Sequence, residues 1–290
     1  MIVSASYRTD IPAFYGDWFM KRLTAGECLV ANPYGGPPYR VSLDREAVDG
    51  FVFWTRNSLP FTENLAEINV LGYPFVVHVT IVGYPMTIDR SVPPVDAQVD
   101  TFVRLAGTYG SAALVWRYDP IVLSSLTPAA FHLDNFERIC ARLTGSTDEV
   151  VISFVNPYRK SRRNLDAAAK QHGFSWWQAD EAEVVALSRE FASTAASNGM
   201  RVSLCSQPQF LIPEVHAACC VDAGRLARVS GRDITSRRKG NRPGCLCHEF
   251  RDIGAYDTCV HGCTYCYAVK DRKQSAARHK QHDSDARMLS

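Results

Sequence analysis

What this chain lacks narrows the field first. No stretch approaches about 18 uncharged apolar residues, so no membrane-spanning helix is expected. Charge of one sign is not in excess: 32 Lys and Arg face 30 Asp and Glu, a net charge of +2. That balance argues against a strongly basic nucleic-acid coat and against an acidic tail protein. The opening MIVSASYRTDIP has no basic stretch leading into an apolar one, so it reads as a buried strand, not a secretion signal. No GxGxxG follows that strand, which weakens a dinucleotide-binding reading. Hydrophobic residues at 46% and charged residues at 21% are ordinary for a globular chain and exclude disorder.

Cysteine, by contrast, is abundant. Eight of the ten cysteines fall in the last 86 of 290 residues. Without a secretion signal, a cytoplasmic protein with reduced thiols is expected, and clustered thiols there read first as metal or cluster ligands. Cys28 and Cys140 lie in apolar, helix-like contexts and read as small core residues.

Six short apolar runs with turn signals nearby read as strands: Ile2–Tyr7, Gly50–Thr55, Phe75–Ile81, Ala112–Tyr118, Val150–Val155 and Arg201–Cys205. Helical patterns fall between them at Phe14–Cys28, Thr62–Leu71, Asp96–Tyr109, Pro128–Leu143 and Ala179–Ser197. Alternating elements imply an α/β fold with a parallel sheet and right-handed crossovers. One strand about every 40 residues is close to barrel spacing, so a partial (βα)6 TIM-like barrel is expected over residues 1–206. A doubly wound sheet is the alternative. After that point periodicity fades, and residues 207–290 read as an irregular, cysteine-rich cap packed on the barrel rim.

Polar residues collect where the strands end. Arg8 and Asp10 follow the first strand, Arg56 and Asn57 the second, and Arg117 and Asp119 the fourth. In parallel barrels this rim carries the active site. Arg8, Asp10, Arg56, Arg117 and Asp119 are therefore the candidate catalytic residues, with the arginines able to hold phosphate or carboxylate groups as planar forks. The competing reading is that Asp10 and Asn57 are helix-start residues. His78 reads as an interior histidine.

The sharpest signal is TCVHGCTYCYA at residues 258–268, which spaces Cys259-x3-Cys263-x2-Cys266. Three thiolates at that spacing suit one face of a [4Fe–4S] cluster, which ordinarily takes four cysteines, so one iron is left open. Zinc sites more often pair CxxC knuckles. Gly262 allows a tight turn, and Tyr265 and Tyr267 would shield the cluster from water. This motif resembles the radical S-adenosylmethionine superfamily, whose signature is CxxxCxxC with an aromatic before the last cysteine. The resemblance implies that Cys259, Cys263 and Cys266 bind the cluster, that the open iron chelates S-adenosylmethionine, and that an electron donor such as a flavodoxin or ferredoxin serves it. It also implies a partial barrel. In that superfamily the motif follows the first strand and a Gly-Gly-Glu-type segment follows the second. Here the motif comes after the sixth strand, so a permuted arrangement is implied, with Asn57 beside Arg56 as the polar candidate for the missing segment. The chain at large, through SASYRTDIPAFY, VFWTRN, VWRYDP, VISFV and GAYDTCVHGCTYCYA, resembles a bacterial family catalogued as domain of unknown function 1848. Some of its relatives are loosely labelled repair-photolyase-like.

Cys205, one of the adjacent Cys219 and Cys220 (between which the sequence does not choose), Cys245 and Cys247 make four further thiolates, enough for a second cluster or a structural zinc. SRRKGNR at 236–242, KDRK at 270–273 and SRRN at 161–164 are basic, and Trp176 and Trp177 offer stacking surfaces, so nucleic acid is retained as a partner. The expected function is an iron–sulfur radical enzyme with an unspecified substrate. The alternatives are a non-radical redox or structural iron–sulfur protein, or a zinc-bearing nucleic-acid-binding protein.

Overall fold

The computed structural model describes residues 1–33 and 35–289. In chain order the elements are β1 (Ile2–Ser4), α1 (Ile11–Phe14), α2 (Gly16–Thr24), β2 (Glu27–Val30), β3 (Tyr39–Ser42), β4 (Gly50–Thr55), α3 (Thr62–Val70), β5 (Phe75–Thr80), α4 (Val95–Tyr109), β6 (Leu114–Ile121), β7 (Leu123–Ser124), α5 (Ala129–Arg142), β8 (Glu149–Phe154), α6 (Arg159–His172), β9 (Trp176–Trp177), α7 (Glu181–Ser197), β10 (Arg201–Leu204), β11 (His216–Ala217), α8 (Ala223–Ser230), β12 (Phe250–Asp252) and α9 (Arg272–Gln281).

Eight of these strands form one parallel sheet in the order β12-β1-β4-β5-β6-β8-β10-β11. The order follows the chain without reversal, except that the last strand returns beside the first. The expectation of an α/β fold with a parallel sheet holds. The main sheet has eight strands where six were expected. The two additional strands come from the segment read as irregular, which also carries α8 and α9. They have only two and three residues, too few for an alternating pattern to stand out. Helix α6 was missed because RKSRRNLDAAAKQH is largely polar; few apolar residues (Leu165 and Ala168 among them) face inward from it. The expected helix over residues 14–28 is helical as α2 and at Phe14, the end of α1; its last residues, Cys28 included, lie in β2, which pairs antiparallel with β3.

Alternation along the strands sends side chains to two separate cores. On one face Phe51, Phe53, Val77, Val79, Trp116, Tyr118 and Ile152 pack beneath the crossover helices. Ile2, Val52, Val76, Val115 and Val151 belong to the other face, where Ala218, Cys220, Val221 and Leu226 cover them. Backbone and helix come very close there: a Cβ on Gly50 would sit 2.7 Å from Leu226 Cδ2 and 3.1 Å from the Pro74 carbonyl. Helix α7 starts with a reciprocal cap, in which Glu183 N–H donates to Asp180 Oδ1 at 2.8 Å and Asp180 N–H to Glu183 Oε2 at 3.1 Å. Cys28 and Cys140 are buried in the larger core, as expected.

The edge strands β11 and β12 share no ladder. Their flanking segments meet instead, where His248 N–H donates to the Val221 carbonyl at 2.9 Å. No described helix is long and apolar enough to cross a membrane.

Candidate functional site

The carboxyl ends of the strands gather three buried arginine–carboxylate pairs. Arg8 Nε donates to Asp252 Oδ2 at 2.5 Å, and Asp252 Oδ1 also accepts from Ser4 Oγ and Tyr7 N–H, both at 2.9 Å. Burial raises the Asp252 carboxyl against the pull of Arg8. Arg56 pairs with Asp89 and donates to the Tyr265 hydroxyl, which itself donates to Asp89 Oδ1 at 2.8 Å. Burial works against the charge on Arg56, but Asp89 and Tyr265 outweigh it and hold the guanidinium charged. Arg117 grips Asp119 with two parallel bonds, at 2.8 and 2.6 Å. The arginines expected to fork an incoming anion thus already fork protein carboxylates. Two of those carboxylates, Asp89 and Asp252, carry no sequence signal: one lies in a loop, the other in the three-residue β12.

Asp10 serves two purposes. Its Oδ1 caps α1 by accepting from Ala13 N–H at 3.0 Å, as a helix-start residue should. Its Oδ2 lies 2.8 Å from His261 Nε2 and accepts from Arg56 N–H at 2.8 Å. His261, inside the cysteine motif, is thereby tied to the first two strand ends. Asn57 closes its own turn, with its side-chain oxygen accepting from Leu59 N–H at 3.3 Å.

The motif loop is stitched along its length. Asp89 and Cys263 form an isolated antiparallel bridge. Ser91 N–H donates to the His261 carbonyl and Thr264 N–H to the Ile88 carbonyl, each at 3.0 Å. Tyr15 donates to the Thr258 carbonyl and Tyr267 to the Tyr7 carbonyl, each at 2.7 Å. Gly262 turns the loop at φ +74°, a conformation glycine adopts without penalty. Burial pushes the Cys259 and Cys263 thiols well above their usual value, with Asp10 adding to the effect at Cys259 and Asp89 at Cys263. Cys266 is raised too, mainly by burial. All three are free; Cys259 feels Cys266, and Cys263 feels both of the others. Ligand atoms around one ion crowd together, and these three do not all come within 4.8 Å of one another.

Beside the loop lies a cavity of about 490 Å³ lined by Arg90, Arg163, Lys270, Arg272 and Lys273, with Asp271 the single acid. Arg272 senses both Cys263 and Cys266. The other basic run is partly neutralised, since Arg237 and Lys239 both pair with Glu249.

The second set of thiols meets on the other core. Cys205 and Cys220 bring their sulfurs to 3.7 Å, and Arg117 Nη1 donates to Cys220 Sγ at 3.1 Å. Val221 N–H donates to Cys247 Sγ at 3.3 Å, and Cys247 in turn neighbours Cys220 and Cys245. Hydrogen bonding from Cys247 pulls the Cys245 thiol down to about 6. Arg242 Nη2 reaches Cys205 Sγ at 3.6 Å. Of the adjacent pair, Cys220 points inward to Cys205, and Cys219 turns away to His248. His78 lies over Trp54 at 5.3 Å and its Nε2 is 2.9 Å from the Cys220 carbonyl, while its Nδ1 has no partner. Burial keeps this imidazole neutral.

A parallel α/β sheet with cysteines gathered at a strand-end rim and at one open edge is the class defined by this fold and site. Residues 2–268 match the family described as a domain of unknown function (DUF1848), and the chain belongs to that family. Among curated proteins no match was found.

Proposed function

We propose that this protein is a radical enzyme of the S-adenosylmethionine type in which Cys259, Cys263 and Cys266 hold a [4Fe–4S] cluster over the strand ends. The observation that carries this reading is the motif loop itself. Three free thiols from one eight-residue loop, Cys263 buried and Cys259 and Cys266 partly so, are fastened by His261–Asp10, Asp89 and Tyr265 to the rim where parallel α/β proteins bind ligands. When bound, such a cluster supplies an electron to S-adenosylmethionine at its open iron, with a flavodoxin or ferredoxin as donor.

The chain's own residues do the rest. Arg56 and Arg272 offset the negative charge of the thiolates. Tyr265, 9% exposed, keeps water from the loop. Asp10 and Asp89, held by Arg56, position His261 and Tyr265. The cationic cavity beside the loop suits an anionic substrate, a phosphate-bearing one first. Cys205, Cys220, Cys245 and Cys247 form a second metal centre in this reading. The chain-ordered strands, with β12 returning beside β1, are read as a curled, barrel-like sheet whose last gap lies between β11 and β12. Ten free thiols suit a reducing compartment such as the cytoplasm.

Protein purified without oxygen is expected to carry about four irons per chain for a single cluster and about eight if the second centre is a cluster too. After chemical reduction it should cleave S-adenosylmethionine. Iron-free protein would overturn the cluster; a reduced cluster that neither binds nor cleaves S-adenosylmethionine would overturn the radical reading.

A further inference from the structure

The open edge of the sheet holds a ligand set that neither cysteine group uses. Cys219, Asp222 and His248 bring one sulfur, one carboxylate oxygen and one imidazole nitrogen within 4.8 Å of one another. Cys219 Sγ and His248 Nδ1 stand 3.5 Å apart. A tetrahedral zinc with bonds of about 2.3 Å to sulfur and about 2.0–2.1 Å to nitrogen would hold those atoms about 3.6 Å apart. We infer that Cys219, Asp222 and His248 form a mononuclear zinc site that staples the two unpaired edges of the sheet.

The position explains why a staple is useful here. Cys219 and Asp222 leave β11, the last strand on one edge; His248 leads into β12, the last on the other. Only the bond from His248 N–H to the Val221 carbonyl, at 2.9 Å, is drawn between the backbones of these two short segments. Short edge strands with unsatisfied ladders are weak points of a sheet. An ion bound across them adds its binding energy to the folded state, because the ligands are far apart in the unfolded chain.

The chemistry selects the ion. Thiolate with imidazole favours zinc over magnesium or calcium, which take oxygen. One thiolate and one carboxylate cancel the charge of Zn²⁺, as a half-buried site requires. Asp222 caps α8 with one oxygen, accepting from Gly224 N–H at 2.9 Å, and leaves the other for the ion. His248 Nδ1 also lies 3.2 Å from the Val221 carbonyl and accepts from Ala223 N–H at 3.3 Å; a metal-bound Nδ1 gives up both contacts, and the bond from His248 N–H to the Val221 carbonyl keeps the residue in place. All three residues are partly exposed, so a water completes the tetrahedron.

The test is metal analysis of the full chain with zinc K-edge absorption. The expected result is one zinc per chain with a single sulfur neighbour at about 2.3 Å and nitrogen or oxygen neighbours at about 2.0 Å. That zinc should vanish in His248→Ala and in Cys219→Ser, and should survive in Cys220→Ser and Cys263→Ser. Asp222→Asn keeps a cap acceptor and should still weaken zinc binding, which covers the case in which the other variants fail to fold. Zinc-free protein that takes up no added Zn²⁺, or a zinc content and sulfur–nitrogen environment left unchanged by both His248→Ala and Cys219→Ser, overturns the proposal. Neither result depends on whether the strand-end thiols carry iron, so failure here is separable from failure of the enzyme reading.

Discussion

The two cysteine regions are built in opposite ways. The strand-end loop takes its three thiols from eight consecutive residues and borrows only its supports, Asp10, Arg56 and Asp89, from elsewhere. The open-edge region draws Cys205, Cys219 with Cys220, and Cys245 with Cys247 from three separate segments. In the loop, spacing is set by local chain geometry, and tertiary structure only seats it. At the open edge nothing is arranged until β10, β11 and the lead-in to β12 have docked. A ligand set that is local in sequence can form early; one that is distributed is itself a readout of the finished sheet.

The largest effect that separates the regions is expected from Cys263→Ala. It should abolish metal at the strand-end loop and leave the open-edge metals in place, as judged by iron and zinc content per chain. Equal loss at both would show that the two regions fold as one unit and break the comparison.

Next come the buried ion pairs, one beside each region. Arg56→Met strands Asp89 next to the loop, and Arg117→Met strands Asp119 next to Cys220. Each should cost about 3–5 kcal/mol in urea unfolding, because a buried charge loses its partner. Arg56→Met should disturb the loop metal alone, and Arg117→Met the open-edge metal alone.

A pH titration tests the larger core beneath the crossover helices. His132, fully buried with Nε2 3.1 Å from the Val122 carbonyl, is pushed down to about 4 by burial. Below its ordinary value of about 6.5 the unfolded chain takes up a proton that the folded chain refuses. Its contribution is therefore intact above pH 6.5 and lost as pH falls from about 6.5 to about 4, by roughly 3 kcal/mol in all. His132→Gln should flatten that part of the pH–stability curve. Because this residue lies in neither region, acid should weaken both together.

The smallest effect is expected from Tyr267→Phe. It removes one hydrogen bond, to the Tyr7 carbonyl, from a residue at the surface, and should cost no more than about 1 kcal/mol in thermal or urea unfolding. A larger cost would mean that this aromatic anchors the loop rather than screening it.

Much of the architecture is legible in the chain. Strands β4, β5, β6 and β8 announce themselves because both faces are largely buried and most of their residues are apolar. Strands β11 and β12 do not, since two or three residues carry no period. The loop motif is legible because its ligands are neighbours in sequence. Asp89 and Asp252 are not, because a lone aspartate in a loop or short strand looks like any other polar residue until an arginine packs on it. The arginines at the strand ends were visible, but not that protein carboxylates already occupy them.

By itself, then, the sequence determined the parallel α/β class, the spacing of Cys259, Cys263 and Cys266, and the burial of Cys28 and Cys140, all of which depend on local pattern or on hydrophobicity. Only the tertiary structure decided the pairing of β12 with β1, the opposite directions of Cys219 and Cys220, and the meeting of His248 with Cys219. Those depend on which distant segments come to lie side by side, and chain topology rather than residue type sets that.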